Sequence, residues 1–394
     1  MLKYRPGRML LAAAAASMAL GPSPATAADA TWEQWLPVAG ATDVDGPRTD
    51  GKFVVAGSAA LALLDPAGTL EDFARGIGGY HEDPGKEAYI AVSRGGHVDA
   101  AACDFAPDET YILRLHPPIG VTRVNASGDE SGPFTNIPGV STLTGITFDF
   151  QGAFDHRLLV MGLAGGHTTI FAIDCNGAVK VIRQGLPVLE GQMAVAPEGF
   201  GAYSGQLIIP DETGRVVAIA PSGKSTVILA RQLPPGINVT LGGVGFVPEG
   251  FTERGGAAYH VDRKTPGSAF PGNDRLLRIT SDKLVAAGVQ DVDLLAVSED
   301  GGAMISVRCV ATCTARIVIA GDRTAHAEGH VAFFVNPPQE TPPPVAVATK
   351  PGGPLVPQAV VDFVGDWGLP TGVLVLLVTF LAAVAIQAAT RREP

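Results

Sequence analysis

The chain is short of charge and of aromatic side chains: Asp, Glu, Lys and Arg make up 17% of its 394 residues, and Phe, Trp and Tyr 6%. So little charge, beside 46% hydrophobic residues, excludes a disordered or polyelectrolyte chain. Basic residues are the scarcer sign, 28 against 39 acidic, and five of the 28 (Lys3, Arg5, Arg8, Arg391 and Arg392) lie at the extreme termini. A body this acidic argues against nucleic acid or anionic lipid as the partner. Cys309 and Cys313 make only a weak zinc half-site, because no neighbouring Cys or His pair completes four ligands. There is no Gly-x-Ser-x-Gly, no phosphate loop and no Asp-x-Asp-x-Asp-Gly calcium loop, so no motif names a reaction.

What is present at the ends is export chemistry. Lys3, Arg5 and Arg8 precede the apolar run 9–20, and Ala25-Thr26-Ala27 has the small-x-small form of a cleavage site, so 1–27 reads as a signal peptide. Residues 369–389 carry no charge and are followed by Arg391 and Arg392, the pattern of a transmembrane helix with a cytoplasmic tail at 390–394. Leu369-Pro370-Thr371-Gly372 is one residue short of a sortase signal, and the segment reads as a plain anchor. Residues 336–366 are too rich in proline for sheet or helix and read as an extended stalk. The expected location is therefore the extracytoplasmic side of a bacterial membrane, attached in a single pass. In such a compartment an even number of cysteines favours disulfides, with Cys309 paired to Cys313 across a hairpin turn and Cys103 to Cys175 by default.

After a short N-terminal segment, 28–50, residues 51–335 repeat. An acid ends an apolar, Gly-flanked stretch at Asp149, Glu198, Glu249 and Glu299, a spacing of about 50 residues that marks a propeller or array. Each unit reads as an inner strand, a second, a third and a closing run, joined by turns such as Asp174-Cys175-Asn176-Gly177. Inner strands are expected at 77–80, 143–148, 193–196, 244–247 and 294–297, with 35–39 serving the first unit. The fifth unit continues through 257–261, 276–279 and 284–287, and the sixth through 303–307, 315–319 and 331–334. The predicted class is all-β, a six-bladed β-propeller with a C-terminal transmembrane helix; a five-bladed ring plus a small β module around Cys309 and Cys313 is the alternative.

The unit Met193-Ala-Val-Ala-Pro-Glu-Gly-Phe, followed by Gly205-Gln-Leu-Ile-Ile-Pro-Asp-Glu-Thr-Gly-Arg-Val-Val-Ala-Ile-Ala-Pro-Ser-Gly-Lys, resembles those of gluconolactonase-like and NHL-type six-bladed propellers. The resemblance covers about residues 51–335 and implies architecture more than activity. Gluconolactonase-like enzymes hold a divalent metal with carboxylates and amides in the channel, but that set has no counterpart at the recurring acids, which read as turn formers.

Longer loops are the expected home of function. His97, His167 and His260 fall in loops of three units and suit zinc or acid–base work if they converge; the bland reading is three solvated histidines. Asp211 with Glu212, and Asp262 with Asp274, suit a hard cation such as Ca²⁺. Two functions follow: a surface-binding protein for an unknown extracellular ligand or protein, or a metal-dependent lactonase-like hydrolase.

Overall fold

The computed structural model describes residues 30–58, 60–82, 87–230, 240–321, 324–338 and 380–382. The chain divides into a unit at 1–338 and a unit at 339–394. The signal segment 1–27 and nearly all of the stalk and the 369–389 span lie outside the described residues. Among the described residues no helix is long and apolar enough to cross a membrane.

Short apolar runs bounded by Gly, Pro, Asp and Asn form strands because hairpin turns reverse the chain every few residues. The first strand, β1 (Glu33–Pro37), is set aside by the chain for later use. Four antiparallel sheets then form in sequence, each from consecutive strands. They are β2 (Asp43–Asp45), β3 (Phe53–Gly57), β4 (Ala60–Asp65) and β5 (Thr69–Phe73); β6 (Ile90–Val98), β7 (Cys103–Arg114), β8 (Gly120–Val124) and β9 (Ser131–Asn136); β10 (Thr142–Phe148), β11 (Leu158–Ala164), β12 (His167–Ile173) and β13 (Val179–Leu186); and β14 (Ala194–Val195), β15 (Leu207–Pro210), β16 (Val216–Ile219) and β17 (Ser225–Leu229).

The remaining strands interleave. After β18 (Leu241–Phe246) and the one-turn helix α1 (Phe251–Arg254), the hairpin β19 (Gly256–Asp262) and β20 (Arg275–Thr280) does not pair with β18. The chain passes through helix α2 (Ser281–Ala286) and returns as β21 (Leu294–Ser298), which pairs with β18, then β22 (Met304–Cys309), β23 (Cys313–Ile319) and β24 (Ala327–Val335). One array runs β18-β21-β22-β23, the other β24-β19-β20-β1, and a single parallel bridge between Val244 and His330 joins them into an eight-stranded sheet. The N-terminal β1 thus supplies the outer strand beside β20.

The sheets stack face to face in a ring, which is why the middle strands are apolar on both sides. In β11, Leu158 and Val160 pack with Phe105, Tyr111 and Phe148, while Leu159 and Met161 pack with Leu207 and Ile209 of the next sheet. Ile208 and Ala218 then meet Val244, Leu294 and Ile305. Ala258 and Ile279 meet Leu295, Val297 and Met304, and Tyr259 and Leu276 meet Val44, Phe53 and Val55 of the first sheet. A side chain in each of these layers removes apolar area from water at roughly 25 cal/mol per Å², and ring closure covers the inner edge of each sheet while outer strands such as β13 remain edges. The fold is a β-propeller.

Several expected strands move. Residues 284–287 belong in part to α2, which starts after Thr280, rather than to a strand. The first inner strand is Asp43–Asp45, not 35–39, and the second is Ile90–Val98, not 77–80. The Cys309–Cys313 hairpin continues the sheet of β21 and is no separate module. Both expected disulfides form, Cys103 with Cys175 and Cys309 with Cys313.

Candidate functional site at one end of the channel

The inner strands β2, β6, β10, β14, β18 and β24 surround the axis, and a buried polar hub ties them together. Asp43 is fully buried and accepts the backbone N–H of Val44 at 2.8 Å, of Ile90 at 2.9 Å and of His330 at 2.6 Å. The Gln192 amide donates to it at 3.3 Å, and His330 Nδ1 lies 3.0 Å away. Burial pulls His330 down, but the charge and hydrogen bond of Asp43 outweigh it and hold the imidazole up at about 9. One carboxylate therefore spans several inner strands.

Above the hub, at the end where the inner strands begin, acids converge. Glu299 follows β21, and His326 and Glu328 stand at the start of β24. His326 Nε2 lies 3.1 Å from Glu299 Oε1 and 3.2 Å from Glu328 Oε1. One donor atom from each of the three falls within 4.8 Å of the others. Burial lowers the His326 pKa, and the hydrogen bonds to both glutamates reverse this and raise it to about 10. Glu328 also accepts the Tyr89 hydroxyl at 2.5 Å and Arg263 Nη1 at 3.2 Å, and Arg263 reaches Glu87 at 2.7 Å. Burial and then the charge of Glu328 push Tyr89 well up. Beside the cluster, burial followed by the neighbouring Glu299 and Glu190 carboxylates pushes Glu212 up to about 8. Carboxylates outnumber cations here, the setting in which an added cation lowers repulsion.

The sequence candidates divide. Glu212 belongs to this end, and so do His260 and Asp262, both fully buried. His260 Nδ1 pairs with the His330 carbonyl at 2.9 Å, burial pushes its pKa down to about 4, and its Nε2 is buried without a partner. A Cβ on Gly243 would lie 2.5 Å from the His260 ring, so that glycine makes room for it. Asp262 is a scaffold, accepting the His326 backbone N–H at 2.9 Å and the side chains of Asn273 at 3.1 Å and Gln34 at 3.2 Å. Asp211 is spent within its own turn on Thr213 and Arg215. Asp274 accepts the Lys264 N–H.

The three histidines do not converge. His167 is exposed in the β11–β12 hairpin, and His97 lies exposed at the β6–β7 end with Asp104 at 2.8 Å. Of this candidate cluster, sequence reasoning weighed His326 with His330 as a metal pair and set it aside, and did not single out Glu328. Glu299 was read as a turn former like Asp149, which does accept the N–H groups of Gln151, Phe154 and His156. Because the hairpin β19–β20 is diverted, Glu299 follows a second strand rather than an inner one and faces the opposite end. The signal that remained was His326 and Glu328, two residues apart in a strand and hence on one face.

No protein-family profile matches the chain, and no significant relative is found among curated proteins. Among solved structures the chain is similar to virginiamycin B lyase from Staphylococcus aureus, at 11% identity and a TM-score of 0.40, over 77% of this chain and 96% of that one. It is similar to a Bacteroides thetaiotaomicron protein of unknown function at 10% identity and a TM-score of 0.45, over 76% and 65%. A putative gluconolactonase matches at 16% identity and a TM-score of 0.35, over 60% and 73%. At these scores the likenesses carry no argument about chemistry.

Proposed function

We propose that this chain is an exported, membrane-anchored propeller of six blades that holds a divalent cation at Glu299, His326 and Glu328 and acts there as a metal-dependent lactonase-like hydrolase. The observation that carries the reading is the convergence of two carboxylates and an imidazole within 4.8 Å at the mouth of the channel. Counting the two arrays of the eight-stranded sheet as separate blades supports six. The donor set fits the ion: an imidazole with carboxylates suits Zn²⁺ better than Ca²⁺, which prefers oxygen alone. When bound, such an ion supplies Lewis acidity toward a carbonyl oxygen. Tyr89 and Arg263 orient Glu328, Asp262 fixes the His326 backbone, and Glu212 and Glu190 line the approach. The anchor rests on the sequence of 369–389; a stalk begun at 336 starts from the end of β24 opposite Glu328.

Metal analysis of the purified full chain tests this. About one Zn²⁺ per chain is expected, together with turnover within a lactone and ester panel, both lost in Glu299→Gln and His326→Gln. No bound metal after Zn²⁺ loading would sink the cation reading. Absence of turnover across the panel would leave a second reading, a surface-binding propeller without catalysis. It is favoured by Glu328, both of whose oxygens already have protein partners.

A further inference from the structure

The channel has a second end, built where the inner strands finish, and it holds a cavity of about 390 Å³. Its walls are apolar and aromatic, with Phe148, Phe150, Phe246, Phe333 and Phe334 among them. One cation is arranged toward it. Arg94 lays its guanidinium over the Phe150 ring at 4.3 Å and donates one Nη2 hydrogen to the Gly46 carbonyl at 3.0 Å. Its side chain stays open to the cavity, yet the surrounding protein lowers its pKa through desolvation. A planar guanidinium held by a ring face and one carbonyl has further N–H groups in fixed directions, the geometry that recognises a carboxylate. The two acids of the lining are placed differently. Asp45 accepts the Val92 N–H at 2.7 Å and its charge also acts on Arg94, while Glu249 stands exposed at the rim. His330 also borders the cavity, but its Nδ1 is turned to Asp43.

We propose that this cavity is a binding site for a small amphipathic monocarboxylate, an aromatic or short aliphatic acid whose body lies among the phenylalanines and whose carboxylate meets Arg94. The volume falls in the range of small-molecule sites, and an apolar wall with one oriented polar anchor is their usual composition. The Asp43 hub separates this site from the acidic mouth, so it stands or falls independently of the metal reading.

Titration of the full chain with 4-phenylbutyrate, and in parallel with 4-phenylbutanol, tests it by ligand-observed NMR and calorimetry. The acid is expected to saturate below ~1 mM and to bind about tenfold tighter than the alcohol. Arg94→Gln should remove that difference. Gln151→Glu, an exposed change at the rim, should weaken the acid several-fold and leave the alcohol unchanged; it decides the matter if Arg94→Gln fails to fold. Equal binding of acid and alcohol, no saturable binding of the acid, or an acid affinity that survives Gln151→Glu would each overturn the proposal. So would loss of acid binding in Glu299→Gln, which would place the ligand at the other mouth.

Discussion

The two ends of the channel are made by the same inner strands and carry opposite chemistry. Where the strands begin, Glu190, Glu212, Glu299 and Glu328 gather around His326 and Arg263; where they finish, phenylalanines surround Arg94. The difference teaches how a strand barrel acquires polarity. Loop residues at each end are free to differ because the fold depends on the blade faces and on the hub between them, not on the rims. Both disulfides also fall at the phenylalanine end, Cys103 with the β12–β13 turn and Cys309 with Cys313 in the β22–β23 turn.

The hub is the boundary, and breaking it has the largest expected effect. Asp43→Asn leaves buried His330 without its counter-charge and should cost about 3–5 kcal/mol by denaturant titration. An unchanged midpoint would mean that the Asp43–His330 pair does not hold the hub together. Disulfide removal sharpens the contrast between ends. By loop length, loss of the Cys103–Cys175 bridge, which spans 72 residues, should cost about 4 kcal/mol, and loss of the Cys309–Cys313 bridge, which spans 4, about 2 kcal/mol. Calorimetric scans of the paired serine variants check the order, and metal affinity at the other end should not change in either. Asp149→Ala, which orphans three N–H groups in a turn at the phenylalanine end, should cost about 1–3 kcal/mol, measured in the same way.

The smallest effect concerns His97. Its bond to Asp104 raises its pKa above the ordinary 6.5, so any stability it adds is fully present below about 6.5 and fades as pH rises through the folded value. Because the ring is solvent-exposed, the shift should show in an NMR titration while the melting temperature barely moves. Asp104→Asn should return the pKa toward 6.5.

Strands β10 to β17 were legible because each sheet there is a run of consecutive hairpins, and turns such as Asp174 to Gly177 announce themselves locally. The interleaved strands were not. Nothing near Tyr259 indicates that its neighbours pair with 327–335 rather than with 241–246, since both partners are equally apolar. That single long-range choice also moved Glu299 from the expected turn to the mouth. Leu284 to Ala287 is a short apolar run that suits strand or helix, and the polar Thr280-Ser281-Asp282 start decided for helix. At the candidate site, Glu212, His260 and Asp262 were singled out from loop position, while His326 and Glu328 needed the strand β24 to bring them to Glu299.

The pairing of β1 with β20 has a consequence in time. Glu33 faces Arg278, so the strand nearest the start of the chain has no partner until some 245 further residues have been made. At 5–20 residues per second that delay is on the order of tens of seconds, and the array that β1 completes also needs β24, nearly the last strand to emerge. Nascent chains cut short before β24 should therefore remain open to protease as a class, however many complete sheets they already contain.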